Sequence, residues 1–372
     1  MAYESYAEFL EALEQAGELT RISQPLATEL EITELADREM KKPGGGQALL
    51  IEQPTVNGQI SPHPLAINTM GSARRMAMAL GAESVDAAAA ELGSLIQAKP
   101  PTGIRETFAL LGQALTLRHA KPKRAKTGPC KEVVHRFDAP APRTEPWPSA
   151  PDVNDPSTLD PQPSTLLDLP ILKCWPLDGG RFITLPCVVT RDPDTGDRNL
   201  GMYRIQISGG EYEQDREVGL HYQIHRGIGV HHEAAIRNDI PFRVNIFVGG
   251  APAMMLAAVM PLPEGMSELG FAGVLSGKRI GMIQRPGSLP VYDQADFCIS
   301  GTVHPDKQLP EGPFGDHLGY YSMAHDFPVL QVERVYHRKD PIWPFTVVGR
   351  PPQEDTAFGQ LIHELTGPVI PT

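Results

Sequence analysis

The sequence predicts an α+β protein with an N-terminal α/β domain, a second domain rich in β-strands and the beginning of a third domain. Helical patterns surround one short apolar strand early in the chain, whereas β-branched or alternating runs dominate its second half. A proline-rich stretch separates the helical part of the sequence from the part with β-strand patterns. We therefore expect domains at 1–125 and 171–345, a linker at 126–170 and the start of a further domain at 346–372.

The N-terminal region shows the signals of four helices and a strand. The first helix has a single apolar face formed by Tyr6, Phe9, Leu10 and Leu13. Gly17 would follow its end, since glycine favours the left-handed conformation found there. We expect a second helix over Ala27–Lys41 and an apolar strand over Gln47–Glu52. The remaining two helices should begin after Ser72 and Ser84, because serine is a preferred N-cap.

The segment Asp138–Pro170 contains so many prolines that neither a helix nor a central strand can form there, and we expect an extended linker or surface loop. Beyond it, four strands are predicted, over Thr184–Arg191, Gly201–Ser208, Phe242–Val248 and Val329–Tyr336. One helix interrupts them at Ala251–Met260. This spacing favours a barrel over a parallel sheet. A helical pattern follows over Phe358–Leu365, and we expect it to begin a further domain that is truncated in this chain.

Composition excludes several classes of function. The net charge of −12 disfavours nucleic acid as a partner, and we interpret the basic stretch Arg118–Lys126 as a solvated strap. Four cysteines without a C-x-x-C spacing predict neither a zinc site nor a disulfide framework, which favours a reducing compartment. The N-terminus lacks the apolar core of a signal peptide, and no apolar run approaches the roughly 18 residues of a membrane span. We expect a cytoplasmic protein.

Common catalytic motifs are missing from the sequence, including the dinucleotide, Walker, zinc-protease and hydrolase-elbow patterns. The run His231-His232-Glu233 lacks the i, i+4 histidine pair of a zinc helix, so we interpret both histidines as surface residues.

Three segments combine polar residues with unusual surroundings, and each keeps a purely structural alternative. Asn199 and Arg204 would face opposite sides of a regular strand, so only a bend near Gly201 could bring both to one site; alternatively, Arg204 makes a structural ion pair. His225, in HYQIHRG, could be an ordinary core or surface histidine. Glu268 follows a plausible N-cap at Ser267 and could serve only the helix dipole.

The fourth segment, Pro310–Tyr321 (PEGPFGDHLGYY), is the most specific. Two carboxylates, Glu311 and Asp316, flank a turn rich in glycine and proline, which holds such a loop in one conformation. Two carboxylates close together do not ionise independently, so one of them could remain protonated as a general acid. The alternative is a rigid turn that carries solvated acids.

These segments, in this order, resemble the UbiD decarboxylase family, and the similarity extends from SYAEFLEALEQAGELTRI to VVGRPPQED. The resemblance implies prenylated FMN bound in a split β-barrel domain, with Mn²⁺ or Mg²⁺ and a monovalent cation, K⁺ or Na⁺, at the cofactor phosphate. It also implies a C-terminal α/β domain with a phosphate-side lysine and an oligomerising tail, which would be absent or truncated in this chain. Ile224 stands where some relatives carry glutamine.

By position, the resemblance assigns the divalent metal to Asn199, His225 and Glu268, a set that suits a hard cation. Contacts to the flavin would come from Thr184, Gly201 and Met202. Carbonyl groups for the monovalent cation would come from Ala257, Ala258 and Met260.

The resemblance assigns catalysis to Arg204, Glu311 and Asp316. Arg204 would orient the substrate carboxylate and pair with Glu311, and Asp316 or its partner would return a proton after CO₂ leaves. The resemblance implies an enzyme that decarboxylates an aromatic or α,β-unsaturated acid, with quinone biosynthesis as one expected role. A flavin prenyltransferase would supply its cofactor, and the full-length form would be a homo-oligomer. Two alternatives stay open: a flavin-binding split-barrel oxidoreductase, and a non-catalytic subunit of a split decarboxylase.

Overall fold

The computed structural model describes residues 3–96, 118–137, 165–223, 225–262 and 266–366. The helices are α1 Tyr6–Gln15, α2 Glu31–Met40, α3 Ala73–Leu80, α4 Val85–Ile96, α5 Gly227–Arg237, α6 Pro252–Val259, α7 Glu268–Ser276 and α8 Glu354–Thr366. The strands are β1 Leu19–Ile22, β2 Leu26–Ala27, β3 Ala48–Ile51, β4 Pro54–Val56, β5 Gln59–Ile60, β6 Leu65–Ile67, β7 Lys123–Ala125, β8 Val133–Arg136, β9 Phe182–Ile183, β10 Cys187–Arg191, β11 Arg198–Gly201, β12 Ile205–Gln206, β13 Glu217–Leu220, β14 Arg243–Val248, β15 Gly281–Ile283, β16 Val291–Tyr292, β17 Phe297–Glu311, β18 His325–His337 and β19 Trp343–Phe345. Most of the predicted proline-rich linker lies outside the described residues.

The N-terminal region follows its local sequence signals, with one boundary corrected. The hydroxyls of Ser5, Ser72 and Ser84 accept backbone N–H groups at the starts of α1, α3 and α4. The second helix does not begin at Ala27, because β2 pairs with β4 there. The residue before it, Leu30, has a φ of 66°, which also prevents an earlier start.

A four-stranded sheet lies at the centre of this region, in the order β1-β3-β6-β19. Its last strand comes from far along the chain and pairs in parallel with β6. Glu354, at the start of α8, accepts a hydrogen bond of 2.6 Å from the backbone N–H of Met70. The chain therefore returns to the N-terminal sheet after it has built the β-rich part, and the two parts share one continuous core.

The β-rich part is a nine-stranded sheet in the order β11-β10-β14-β17-β18-β13-β12-β9, with β8 also paired to β18. All of its paired strands are antiparallel. The predicted strands over Phe242–Val248 and Val329–Tyr336 are confirmed within β14 and β18. The strand predicted over Gly201–Ser208 is wrong as drawn, because Gly201 ends β11 and only Ile205–Gln206 continue as β12.

That interruption determines the shape of the sheet. Strand β11 forms one edge of the sheet and β12 lies next to β9, the strand at the opposite edge, yet only residues 202–204 connect β11 to β12. Three residues span at most about 14 Å between the flanking Cα atoms. The sheet must therefore curl until its two edges approach each other, which makes a barrel split along one seam. The fold is the predicted α+β combination with a split barrel, and the seam is where residues 202–204 lie.

Four helices pack around the seam: α5, α6, α7 and α8. The Ser267 hydroxyl accepts the backbone N–H of Gly270, so it caps α7 as predicted. The four cysteines are buried, and none of them is paired in a disulfide. Within the described part of the chain, no helix combines the length and apolarity needed to cross a bilayer.

Candidate active site

A cleft of about 1350 Å³ opens at the seam of the barrel. Its wall includes residues 199–204, the end of α6 and the start of α7. The first turn of α5 and one face of α8 also contribute to it. Ten of the residues predicted for the site line it: Thr184, Asn199, Gly201, Met202, Arg204, His225, Ala258, Met260, Glu268 and Asp316. Glu311 lies behind Arg204 and is fully buried. The bend at Gly201 thus brings Asn199 and Arg204 into one cleft.

Arg204 forms the centre of a buried ion-pair network. Its Nε and Nη2 donate to the two carboxylate oxygens of Glu311, at 2.8 and 2.9 Å. Its Nη1 donates to Asp316 Oδ2 at 3.1 Å, and Nη2 also donates to Ser322 Oγ at 3.1 Å. The guanidinium stacks 4.5 Å from the centre of the Phe314 ring. Among the residues that the structure describes, partners engage four of its five N–H groups, and one Nη1–H remains for a ligand.

The strand register explains why His221 joins this network. Ile205 pairs with Leu220, so Arg204 and His221 face each other at the end of the β12–β13 pair. The backbone N–H of His221 donates to Arg204 O at 3.3 Å. Its Nδ1 lies 2.9 Å from Glu311 Oε2, and its ring rests 4.2 Å from that of Phe327.

The charge of Glu311 follows from these partners. Burial alone would raise the pKa of this carboxyl, but the hydrogen bonds from His221 and Arg204, with the charge of Arg204, outweigh burial and lower the pKa. The partners of Glu311 thus favour its ionised form. Because Arg204 lies between Glu311 and Asp316 and pairs with both, the repulsion between the two carboxylates does not determine whether Glu311 is ionised.

Asp316 is carried by the loop between β17 and β18. Gly315 allows the loop to approach Trp175, since a Cβ at this position would lie 2.0 Å from the indole Cδ1. Ser322 Oγ accepts the backbone N–H of Phe314 at 3.2 Å and so ties the two sides of the loop together. Asp316 Oδ1 accepts the backbone N–H of His317 at 2.8 Å. Both oxygens of Asp316 thus accept a hydrogen bond in this arrangement.

The residues expected to bind a divalent metal lie on the opposite wall. Glu268 Oε2 accepts the backbone N–H of Leu200 at 3.3 Å, and Tyr203 donates to Asn199 Oδ1 at 3.2 Å. Burial raises the pKa of Glu268, against the hydrogen bonds that it accepts. His225 is exposed and follows residue 224, which lies outside the described residues. Within the described ranges, no three His, Cys, Asp or Glu side chains form a metal site by themselves.

The donor types nevertheless suit a hard cation: one amide oxygen, one carboxylate and one imidazole, with room in the cleft for ligand oxygens. A buried carboxylate with a raised pKa gains most from a nearby cation. The first turn of α5 has no side-chain cap and opens onto the same cleft, which suits a phosphate group. These observations fit a phosphate-bearing cofactor held through a cation.

The remaining predicted contacts are mostly engaged within the protein. Thr184 Oγ1 donates to Thr346 O at 2.7 Å and accepts Thr346 N–H at 3.2 Å. Ala258 O accepts the backbone N–H of Met202 at 3.1 Å, and Ala257 O accepts that of Met260 at 3.3 Å. Each carbonyl keeps a second lone pair.

Sequence reasoning did not select four polar residues of this region: His221, Ser322, His317 and Asp355. Their roles depend on strand register and loop closure, which periodicity does not reveal. The interpretation of His231 as a surface residue is also wrong, because its ring is buried and lies 2.8 Å from Thr190 Oγ1.

Comparison with known proteins identifies the family. The N-terminal domain of 3-octaprenyl-4-hydroxybenzoate carboxy-lyase matches residues 10–96, and the Rift-related domain of that enzyme matches residues 149–351. An uncharacterized protein of Archaeoglobus fulgidus is 35% identical over 372 residues, which is 100% of this chain and 69% of the relative. One from Aquifex aeolicus is 36% identical over 370 residues, 99% of this chain and 69% of the relative.

Solved structures share the fold at lower identity. Vanillic acid decarboxylase of Sedimentibacter hydroxybenzoicus, in its closed form, has a TM-score of 0.75 at 24% identity, over 96% of this chain and 67% of that chain. The UbiD-class enzyme HmfF of Pelotomaculum thermopropionicum, in an evolved dimeric form with prFMN, has a TM-score of 0.74 at 22% identity. This match covers 99% of the present chain and 72% of the HmfF chain. With the larger family match covering more than half of its length, this chain belongs to the UbiD family of carboxy-lyases.

Proposed function

We propose that this chain catalyses the non-oxidative, reversible decarboxylation of an aromatic or α,β-unsaturated carboxylic acid, with prenylated FMN and Mn²⁺ or Mg²⁺ in the seam cleft. The observation that carries the proposal is the position of Arg204 between Glu311 and Asp316 at the cleft wall. Membership of a carboxy-lyase family supports it. The HmfF structure contains prFMN, and proteins of the same fold include the vanillic acid decarboxylase and a 3,4-dihydroxybenzoic acid decarboxylase of Klebsiella pneumoniae, which also supports the proposal.

Arg204 would bind the substrate carboxylate with the N–H that its protein partners leave available. Glu311 neutralises the guanidinium and fixes its plane, because the pair is bidentate and buried. When Asp316 carries a proton, it no longer competes as an anion for Nη1. The substrate carboxylate would then take its place beside the cation.

Prenylated FMN would supply an extended ring system that accepts the electrons released as the carboxylate leaves. Asn199, His225 and Glu268 would hold the divalent cation, and Ala258 and Met260 the monovalent one. Thr184, Gly201 and Met202 would line the flavin. Asp316 would give a proton to the carbon that lost CO₂, and it lies at the mouth of the network with 37% of its side chain exposed.

The finer assignments belong to the same proposal. We propose the domain limits 1–125, 126–170, 171–345 and 346–372, a flavin prenyltransferase as the source of the cofactor, homo-oligomerisation of the full-length form and a role in quinone biosynthesis.

Cofactor loading tests the proposal. The chain would be produced with Mn²⁺ in cells that also make a flavin prenyltransferase, and its absorbance and cofactor mass recorded. We expect bound prenylated FMN in the wild-type chain and much less in Glu268→Gln. A colourless wild-type chain that stays colourless when produced with a C-terminal domain would contradict the proposal.

A second candidate, a flavin oxidoreductase, leaves the ion-pair network of Arg204 without a task. Flavin reduction by NADH, unaffected by Arg204→Gln, would favour it. A third, a non-catalytic subunit, predicts that the chain binds no flavin alone and binds it only after a separate chain is added.

A further inference from the structure

We infer that His317 and Asp355 form a proton relay that returns a proton to Asp316 from solvent after each turnover. The inference rests on the proposed function, because decarboxylation consumes one proton per CO₂ released. Asp316 can supply that proton once, and it then needs a donor before the next substrate reacts.

The geometry joins the three residues in a row. His317 Nδ1 lies 2.5 Å from Asp355 Oδ2, and His317 Nε2 lies 3.8 Å from Asp316 Oδ1. All three line the cleft. Asp355 is largely buried, with 13% of its side chain exposed, whereas the His317 side chain is 69% exposed. His317 thus connects solvent to Asp316 from the side away from Arg204.

Two features hold this arrangement. Asp355 lies in the first turn of α8, where the helix dipole favours a negative charge. Its other oxygen, Oδ1, is buried and accepts no hydrogen bond within the described ranges, so His317 is the side-chain partner of this carboxylate. His317 begins a short turn in which Leu318 has a φ of 68° while 70% exposed. A non-glycine residue in this conformation is strained, and such strain often marks a functional position.

The charges around His317 set its proton affinity. The hydrogen bond that the ring donates to Asp355 raises the pKa of His317, and burial opposes this rise. The negative charges of Asp355 and Asp316 raise the pKa further, and the positive charge of Arg204 lowers it. Arg350 packs against Gly319 in the same turn. The carboxylates around His317 therefore favour its imidazolium form, the form that can donate a proton to Asp316.

The proton balance is simple. Asp316–COOH gives its proton to the product carbon and becomes a carboxylate. The imidazolium of His317 passes its Nε2 proton to Asp316 Oδ1, and the neutral imidazole takes one proton from water. Asp355 keeps its charge throughout and positions His317, and His317 reaches the substrate only through Asp316.

NMR titration of His317 in the cofactor-free chain tests the coupling without turnover. We expect a pKa above 6.5 in the wild type and a lower pKa in Asp355→Asn. An unchanged pKa in Asp355→Asn would overturn the inference.

Turnover of the loaded chain tests the relay itself. Because the protonated ring is the donor, the rate should fall as pH rises through the pKa of His317, and Asp355→Asn should move this limb to lower pH. His317→Gln should lower kcat about tenfold at unchanged KM, less than the roughly 100-fold loss for a group that meets the substrate. Added imidazole should restore part of the rate.

His304→Gln, an exposed histidine on β17, is the matched control and should behave like the wild type. A wild-type pH profile and kcat in His317→Gln would overturn the relay alone. A wild-type chain that loads flavin but decarboxylates no acid would contradict the proposed function and the relay together.

Discussion

At the scale of single residues, the site depends on the ion pairs that Arg204 forms with Glu311 and Asp316. Sequence resemblance could point to Arg204, Glu311 and Asp316, and the structure brings all three together. It could not point to His221, because its contact with Glu311 depends on the β12–β13 register. A histidine at the end of an unremarkable strand carries no such signal in the sequence.

Replacing His221 by leucine should weaken the protein at neutral pH. His221 helps to lower the pKa of Glu311 in the folded protein. A carboxyl whose pKa is lower in the folded than in the unfolded state stabilises the protein at pH values above its unfolded-state pKa, which is 4.5 for Glu311. The loss in unfolding free energy should be about 1.5–3 kcal/mol at pH 7, typical of a hydrogen bond to a charged group. It should shrink as the pH falls below 4.5. Urea unfolding at pH 7 and pH 4 measures it, with His304→Leu as control; equal losses at both pH values would argue against the pair.

Glu268→Gln should stabilise the metal-free chain at neutral pH. Burial raises the pKa of Glu268 in the folded protein. The wild-type protein therefore loses unfolding free energy as the pH rises through that pKa, whereas glutamine does not ionise. The same substitution should abolish the rise in Tm that Mn²⁺ gives the wild type. Thermal unfolding with and without Mn²⁺ checks both. A Mn²⁺-dependent rise that survives in the variant would remove Glu268 from the metal site.

At the scale of elements, the seam between β11 and β12 decides where the site forms. The apolar alternation over Gly201–Ser208 predicts one strand, because periodicity reports side-chain burial and not which strands become neighbours. The helices were more predictable, since their N-caps are local: Ser72, Ser84 and Ser267 each mark a start correctly. Pairing across the barrel is not local, so the cleft itself could not be derived from the sequence pattern.

The first turn of α5 gives a prediction about close approach. A Cβ on Gly227 would lie 2.6 Å from Asn199 Nδ2, so Gly227→Ala must displace the Asn199 side chain. We expect Mn²⁺ affinity to fall at least tenfold while the secondary structure is retained. Calorimetric titration with Mn²⁺ measures this, and Ile236→Ala, on the exposed side of α5, is the control. Equal affinities in the two variants would show that Asn199 does not hold the metal.

At the scale of the whole molecule, the N-terminal region and the barrel are joined by β19 and α8. The sequence indicates both textures and the α+β class, but it does not indicate that the chain returns to the first sheet after the barrel. The apolar residues Trp343–Phe345 could belong to either sheet. Their parallel pairing with β6 places them in the N-terminal sheet. The relatives are longer than this chain, which covers 69% of their length.

Glu354 tests this connection. It is fully buried, and burial raises its pKa to about 7, against the hydrogen bond from Met70 N–H. Stability should therefore fall as pH rises from its unfolded value of 4.5 through about 7. Glu354→Gln removes this loss, so its advantage over the wild type should grow between pH 5 and pH 8 by on the order of 3 kcal/mol. Urea unfolding at both pH values checks this, and a constant difference would contradict it.

The most direct test of the central claim is the release of ¹³CO₂ from carboxyl-labelled aromatic and α,β-unsaturated acids by the flavin-loaded chain in D₂O. The wild type should release one ¹³CO₂ for each deuterium that enters the product at the carbon that lost the carboxylate. Arg204→Gln and Asp316→Asn should retain flavin but lose at least about 100-fold in rate. Full turnover by Asp316→Asn would remove it as the proton donor, and full turnover by Arg204→Gln would contradict the account of the site.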